Sequence, residues 1–268
     1  MVFSFKIKNA VQSFIFIFIN ITFAQSGIIH YNKLITNESK EVWATPHVLY
    51  FNNNESFYIR TDSGKKLTEV IKDGELDKFG RITSSNVIPS KFNEYYYINK
   101  ENNEIIFKEK VVEKTYKIKN KLESINWVLL DEKKEIDGFT CQKATAIFRG
   151  RDYTAWFTIE IPVDIGPWKL RGLPGLIMDV SESTGKFRFR VSKIDLNPDE
   201  SIIKEQLKKP DIKKVKNFEV YKNAIKNAFD DQMSIARTRM PKGATLLFKG
   251  PDCDHCPDPK NYTLERFE

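Results

Sequence analysis

The feature that most constrains the fold is a series of short runs, rich in β-branched and aromatic residues, between His47 and Asp195. In HVLYFNNNESFYIR, an asparagine-rich stretch separates two such runs, which is typical of a β-hairpin. EYYYINKENNEIIF repeats the arrangement, with residues 100–103 as the turn. The pattern therefore predicts two hairpins in the first half of the chain.

Five further runs of strand length follow, each bounded by Gly, Pro or Asp: INWVLL, FTCQKATAIF, DYTAWFTIEI, GLIMDVS and KFRFRVSKID. In the last of them, Phe187, Phe189 and Val191 share one face, whereas Arg188 and Arg190 share the other. This period of two predicts a sheet with one buried and one solvated face.

After Asp199 the apolar residues recur at steps of three and four, which is typical of an amphipathic helix. We place it at residues 217–239, with Asn217 as N-cap and Pro241 as stop signal, and expect its apolar stripe to pack on the sheet. Strands followed by a helix, without βαβ alternation, predict an α+β fold that is mainly antiparallel β. The expected architecture is a curved sheet or half-barrel with a long C-terminal helix packed on it. The stripe comprises Phe218, Tyr221, Ile225, Ala228, Phe229, Met233, Ala236 and Met240.

Residues 1–24 have the pattern of a secretory signal peptide, with two early lysines, an apolar core at 14–23 and a small-x-Ala cleavage motif at 22–24. The apolar core is too short to span a bilayer, so we expect cleavage before Gln25 and no transmembrane segment in the mature chain. The protein is therefore predicted to be exported to the periplasm or the extracellular space, with outer-membrane association as a further option.

The mature chain is predicted to form a single β-rich domain at 25–250, followed by a polar, cysteine-containing tail at 251–268. The formal net charge of +7 falls to +5 once the two signal-peptide lysines are removed, and the other basic residues are dispersed. Dispersed charge is typical of a solvated surface, so we expect no nucleic-acid partner.

No recognised catalytic constellation occurs in the sequence. The histidines, His30, His47 and His255, form neither H-E-x-x-H nor another paired-ligand spacing, and the chain has no G-x-S-x-G elbow and no phosphate-binding loop. The sequence therefore assigns no catalytic residues and leaves enzymatic activity undecided, with an unrecognised hydrolase as the weakest hypothesis.

The stretch WKLRGLPGLIMDV, residues 168–180, combines apolar and turn-forming residues. Pro174 followed by Gly175 predicts a type II turn across residues 173–176, because Pro presets the backbone of the second position and Gly tolerates a positive φ at the third. Gly172 belongs to the same structural turn. Leu173, Leu176 and Ile177 then either fill the core, which we favour, or line a groove.

Aromatic and basic side chains surround this stretch. The rings are either core or the lining of an apolar pocket, and Arg149, Arg151 and Arg171 either meet an acidic ligand group or point outward from strands. The candidate ligand-binding residues are Trp156, Trp168, Arg151, Leu173, Leu176 and Ile177.

Three cysteines make a disulfide an expected feature of an exported chain. Cys141 lies in a predicted strand, and Cys253 and Cys256 lie in the tail, so three pairings are open. The alternative is a soft-metal or redox site at Cys253, His255 and Cys256, because thiolate and imidazole suit copper or zinc.

The block IDGFTCQKATAIFRGRDYTAWFTIEIPVDIGPWKLRGLPGLIMDV, residues 136–180, resembles the central block of the GLPGLI family of uncharacterised secreted proteins of Bacteroidota. The resemblance extends more weakly from about Ile28 to Asp195 and into the C-terminal helix, whereas CDHC departs from the family pattern. It implies export to the periplasm or cell envelope, and it supplies no catalytic residues.

Two functional hypotheses follow from these observations. The first is a non-catalytic cell-envelope binding or accessory protein for an apolar ligand or a protein partner, by analogy with half-barrels that carry lipoproteins. The alternative is a periplasmic metal-binding or thiol-redox protein that uses the C-terminal CDHC.

Overall fold

A computed structural model describes residues 26–36, 42–61, 86–87, 92–239 and 263–267. The predicted signal peptide at 1–24 and the cysteine-containing part of the tail lie outside these residues. Within the described ranges, no helix is long and apolar enough to cross a membrane.

One open sheet contains all the described strands and forms the body of the fold. Its spatial order is β7-β6-β5-β3-β2-β1-β12-β11-β10-β9-β8, in which all neighbours are antiparallel, and the short β4 pairs parallel with β2 off this path. The predicted α+β, mainly antiparallel class is therefore confirmed. The strands are β1 Ser26–Thr36, β2 Val42–Asn52, β3 Glu55–Arg60, β4 Asn86–Val87, β5 Tyr95–Asn99, β6 Glu104–Val111, β7 Lys114–Lys121, β8 Val128–Ile136, β9 Phe139–Phe148, β10 Arg151–Thr158, β11 Leu176–Glu182 and β12 Phe187–Asp195.

Both predicted hairpins are present, as β2–β3 and β5–β6. The first turn is built by Asn52, whose Oδ1 accepts hydrogen bonds from the backbone amides of Asn54 at 2.9 Å and Glu55 at 2.7 Å. Asparagine favours turns because its side chain bonds the backbone two or three residues on. Strands β1 and β7 were not predicted from the sequence.

Strand β12 shows the predicted alternation. Phe187, Phe189 and Val191 are buried on one face. The opposite face is less solvated than expected, because Arg188 donates from Nε to the buried Asp179 at 2.8 Å and Arg190 is itself buried.

Within the part of the chain that the structure describes, three helices follow the sheet: α1 Glu200–Gln206, α2 Phe218–Lys226 and α3 Ala228–Thr238. The predicted single helix at 217–239 is therefore wrong at one point, since Asn227 ends α2 and precedes α3 with φ −93° and ψ 1°. Asn217 caps α2 as predicted, accepting from the Glu219 amide at 2.8 Å. Helix α1 was not predicted, and Asp199 caps it in the same way.

The apolar stripe of the helices packs against the sheet most closely at its beginning. Tyr221, Ile225 and Ala228 are buried in the main core, whereas Phe229 and Met233 of α3 are half-buried. The expectation of a core-packed stripe therefore holds for α2 and the first residue of α3.

Candidate functional site

The GLPGLI hexapeptide lies between β10 and the start of β11, and its apolar side chains face a closed core. Leu173, Leu176 and Ile177 are each at most 1% exposed. None of them lines either of the two cavities described below. Their burial is the alternative that we favoured from the sequence.

The predicted type II turn is not formed, because Gly175 does not adopt a positive φ. Its role is a close backbone approach, since a Cβ at this position would lie 2.0 Å from the carbonyl oxygen of Thr158. Gly172 instead takes the positive φ, at 90°, with open space around it. The two glycines therefore serve different physical needs.

Trp168 has a left-handed backbone with φ 58°, which is rare for a bulky residue and often marks a functional site. Its turn is closed by a bond from the Leu170 amide to the Pro167 carbonyl at 3.1 Å. The indole Nε1 donates to Glu109 Oε1 at 3.2 Å, and the neighbouring Lys169 reaches the same oxygen at 3.3 Å. The turn thus directs two consecutive side chains at one carboxylate.

Lys169 is the centre of a buried polar group that we call the Lys169 cluster: Lys169, Glu109, Glu265, Tyr221 and Arg149. The Lys169 Nζ lies 2.8 Å from Glu265 Oε1, and the Tyr221 hydroxyl contacts both Glu109 and Glu265. Arg149 Nε lies 3.8 Å from Glu265. Lys169 is only 4% exposed, and its Nζ lies 3.7 Å from the centre of the Phe107 ring.

Electrostatics fix the protonation states of two members of the cluster. Burial alone raises the pKa of Glu109, but Lys169 and the hydroxyls of Tyr221 and Tyr96 outweigh it and hold the pKa below its usual value. Burial, followed by the nearby carboxylates, raises the pKa of Tyr221 well above its usual value. At neutral pH Glu109 is therefore ionised, and Tyr221 keeps its hydrogen and acts as a donor.

Residues 263–267, which we call the docked segment, form one wall of the cluster. The Arg266 amide donates to the Arg149 carbonyl at 2.8 Å, and Arg151 donates to two successive carbonyls, from Nε to Leu264 at 2.9 Å and from Nη2 to Thr263. Glu265 is 1% exposed. The fold therefore holds this piece of chain by its backbone as well as by its carboxylate.

The ring of Phe267 completes these contacts. Its centre lies 5.9 Å from that of Phe218 and 6.5 Å from that of Tyr221, with both pairs edge to face. The Arg149 guanidinium lies 5.3 Å from the same ring. Aromatic and cationic neighbours of this kind attract a ring beyond simple burial.

The turn between β9 and β10 makes room for the docked segment. Arg149 and Gly150 have φ values of 51° and 71°, which match a two-residue type I′ hairpin turn. A Cβ at Gly150 would lie 2.5 Å from the Arg266 carbonyl oxygen. Glycine is therefore needed here both for its positive φ and for this close approach.

Arg151 is fixed in place by a buried ion pair with Glu182, whose Oε2 lies 3.0 Å from Nη1. Glu182 is held in turn by the backbone amides of Thr184, Lys186 and Phe187. Burial, and next to it the nearby Arg266, lowers the pKa of Arg151. With Nη1 on Glu182, the other nitrogens of the guanidinium are aimed at the docked segment.

A cavity of about 290 Å³ with a mixed polar and apolar lining adjoins the docked segment. In its lining, Glu94 pairs with Lys33 at 3.2 Å and also with His47 Nε2 at 2.8 Å. Burial raises the pKa of Glu94, but Lys33 and His47 outweigh this effect and hold the pKa well below its usual value. The ionisable and hydroxyl groups in its lining are Lys33, Glu94, Tyr96, Glu109, Lys110, Tyr221, Thr263 and Glu265.

The structure separates the predicted ligand-binding residues into different environments. Trp168 and Arg151 lie beside the Lys169 cluster, whereas Trp156 is half-buried elsewhere, with the Lys134 ammonium 4.1 Å from its ring centre. A second cavity, of about 640 Å³, lies between α1 and the β2–β3 turn. None of the six predicted residues lines either cavity.

The tail residues Cys253, His255 and Cys256 lie outside the described residues. The disulfide and the metal or redox site therefore both stay predictions. Cys141 is a buried thiol, and burial raises its pKa to about 12. Across the ranges that the structure describes, no group of three or more His, Cys, Asp or Glu side chains is arranged to hold a metal ion.

Sequence reasoning missed Glu109, Lys169 and Glu265 and assigned Tyr221 only to the helix stripe. One signal was available, since Lys169 is a charged residue between the apolar Trp168 and Leu170. Arg149 pairs with Glu123 at 2.9 Å and lies 3.8 Å from Glu265, and Arg151 pairs with Glu182, whereas contact with an acidic ligand group stays a prediction.

The matches to known proteins include one family and two solved structures. No curated protein sequence matches the chain at a significant level. Two structures titled "Structure of PNGF-II", in C2 and P21 space groups, are 16% and 15% identical, with TM-scores of 0.48 and 0.46. The matches cover 76% of this chain but only 33% and 34% of those chains, so this chain spans about a third of their length. Residues 149–179, from the β9–β10 turn through the hexapeptide, match a family described as "Protein of unknown function (Porph_ging)".

Proposed function

We propose that the chain is an exported, non-catalytic binding protein of the cell envelope, a member of the GLPGLI family, and that its site recognises an acidic peptide segment of a protein partner. Export rests on the signal-peptide pattern of residues 1–24, and the family assignment rests on residues 136–180. The peptide is the part of the proposal that the geometry supports.

The observation that carries the proposal is the way in which the docked segment is held. Arg151 and the Arg149 carbonyl bind its backbone, Lys169 and Tyr221 bind the carboxylate of Glu265, and an aromatic group receives Phe267. Backbone bonds give affinity to any extended peptide, and side-chain pockets add selectivity. The expected ligand therefore contains a glutamate followed two residues later by an aromatic residue.

The same geometry favours a protein partner over an apolar small molecule. Trp168, Leu173, Leu176 and Ile177 are packed in the core. The cavity next to the docked segment combines apolar side chains with carboxylates and lysines, and burying those charged groups under a wholly apolar ligand would be costly.

The test uses a chain that ends at Tyr262 and a fluorescent peptide with the sequence of residues 263–268, TLERFE. The shortened chain should bind the peptide saturably, as measured by fluorescence anisotropy. The full chain should bind it far more weakly, because a tethered segment has an effective concentration on the order of millimolar.

Matched variants define the contacts. Lys169→Met should abolish binding. A peptide with Gln in place of the glutamate that corresponds to Glu265 should bind about tenfold more weakly, because a charge-assisted bond is lost. Lys143→Met serves as the control, since Lys143 pairs with the exposed Glu132 on another part of the sheet. A shortened chain that keeps its native circular dichroism but does not bind the peptide would refute the proposal.

A further inference from the structure

Lys169 and Tyr221 each contact two carboxylates, and one of these belongs to the docked segment. The Lys169 Nζ lies 2.8 Å from Glu265 and 3.3 Å from Glu109, and the Tyr221 hydroxyl contacts both side chains. A hydroxyl carries one hydrogen, so Tyr221 can donate to only one carboxylate at a time. The two glutamates therefore compete for the same donors.

Glu109 is held in place without help from the docked segment. Its Oε1 accepts from the Tyr96 hydroxyl and from Trp168 Nε1, which lie on β5 and in the turn before the hexapeptide. If Glu265 leaves, Glu109 stays where it can pair with Lys169 and accept the hydrogen bond from Tyr221. A buried lysine without a carboxylate is strongly unfavourable, so Glu109 lowers the free-energy cost of releasing the segment.

We infer that Glu109 sets the affinity of the peptide site by competing with the peptide glutamate for Lys169 and Tyr221, which makes docking reversible. This inference rests on the proposed peptide-binding function and names the residue that regulates it. It has an unusual consequence. Removing the charge of Glu109 should tighten docking, although it removes a native ion-pair contact.

The experiment uses the full chain and measures hydrogen exchange of the Arg266 amide, which is bonded to the Arg149 carbonyl at 2.8 Å. Exchange of this amide reports undocking of the segment. Glu109→Gln should slow it about tenfold, because the undocked state then leaves Lys169 without a carboxylate. Glu132→Gln is the matched control and should leave the rate unchanged, since Glu132 is exposed and pairs with Lys143 rather than with the Lys169 cluster.

The amide of Ile106 in β6 provides an internal reference for global unfolding. Subtracting the opening constant of Ile106 from that of Arg266 removes the contribution of global unfolding, so undocking is isolated even if Glu109→Gln weakens the whole fold. A difference that falls supports the inference, and one that stays constant or rises overturns it. No added peptide is used, so this result is independent of whether the shortened chain binds TLERFE.

Discussion

Replacing Gly175 by Ala tests why the hexapeptide needs its second glycine. A Cβ at this position would lie 2.0 Å from the Thr158 carbonyl oxygen and 2.6 Å from its carbon. Both atoms belong to the end of β10, where Thr158 pairs with Leu176. The strand end must therefore move by roughly 1 Å to reach an ordinary contact, in a core packed too densely to absorb the shift.

Gly172→Ala is the matched control within the same hexapeptide. No atom lies within 4 Å of its added Cβ, so its cost comes only from the positive φ of 90° and should be about 1 kcal/mol. Overpacking against fixed backbone at Gly175 should cost about 3 kcal/mol.

Urea unfolding followed by circular dichroism measures the difference. With an m-value of about 3 kcal/mol/M, the midpoint should fall by roughly 1 M for Gly175→Ala and by about 0.3 M for Gly172→Ala. Equal midpoints, or a larger loss for Gly172→Ala, would show that close backbone approach is not the reason for the second glycine.

Four further predictions concern buried or reactive side chains. Arg151→Met leaves the Glu182 carboxylate buried without its cation, so the free energy of unfolding should fall by about 3–5 kcal/mol in urea titrations, and a loss below about 1 kcal/mol would contradict the buried pair. The pKa of Glu94 is held below its usual 4.5, so its contribution to stability is present above about pH 4.5 and is lost as the pH falls further. Glu94→Gln should therefore flatten the acid limb of the stability profile, and an unchanged slope would count against this ion pair. Because burial raises the pKa of Cys141 to about 12, a thiol reagent at pH 8 should label it in urea but not in the native protein, as mass mapping would detect. A metal site in the tail predicts stoichiometric copper or zinc in the purified protein, lost in Cys256→Ser, and metal at background level would exclude the site.

The strands that were predicted correctly carry a local signal. In β12, alternation of aromatic and arginine residues fixes which face is buried, and the asparagines of the β2–β3 turn fix where the chain reverses. The break at Asn227 was missed because the apolar stripe continues across it from Ile225 to Ala228. Helix α1, with seven residues, is too short to show a period.

The candidate site was mostly beyond prediction because its members are far apart along the chain. Lys169 meets Glu109 and Glu265, and Arg151 meets the carbonyl of Leu264. No spacing rule links such positions. The Pro-Gly pair of the hexapeptide suggested a turn, whereas Gly175 is required by the neighbouring strand, which local sequence does not reveal.

The sequence by itself determined many of the strands, the helical region after Asn217 and the buried face of β12, because side-chain alternation and helical periodicity are properties of neighbouring residues. The tertiary structure alone decided that β1 pairs with β12, which joins the two halves of the open sheet. It also decided that Lys169 lies between two carboxylates. Charged groups acquire their pKa shifts and strong pairing only after folding removes them from water, so the chemistry of this site arises from long-range packing.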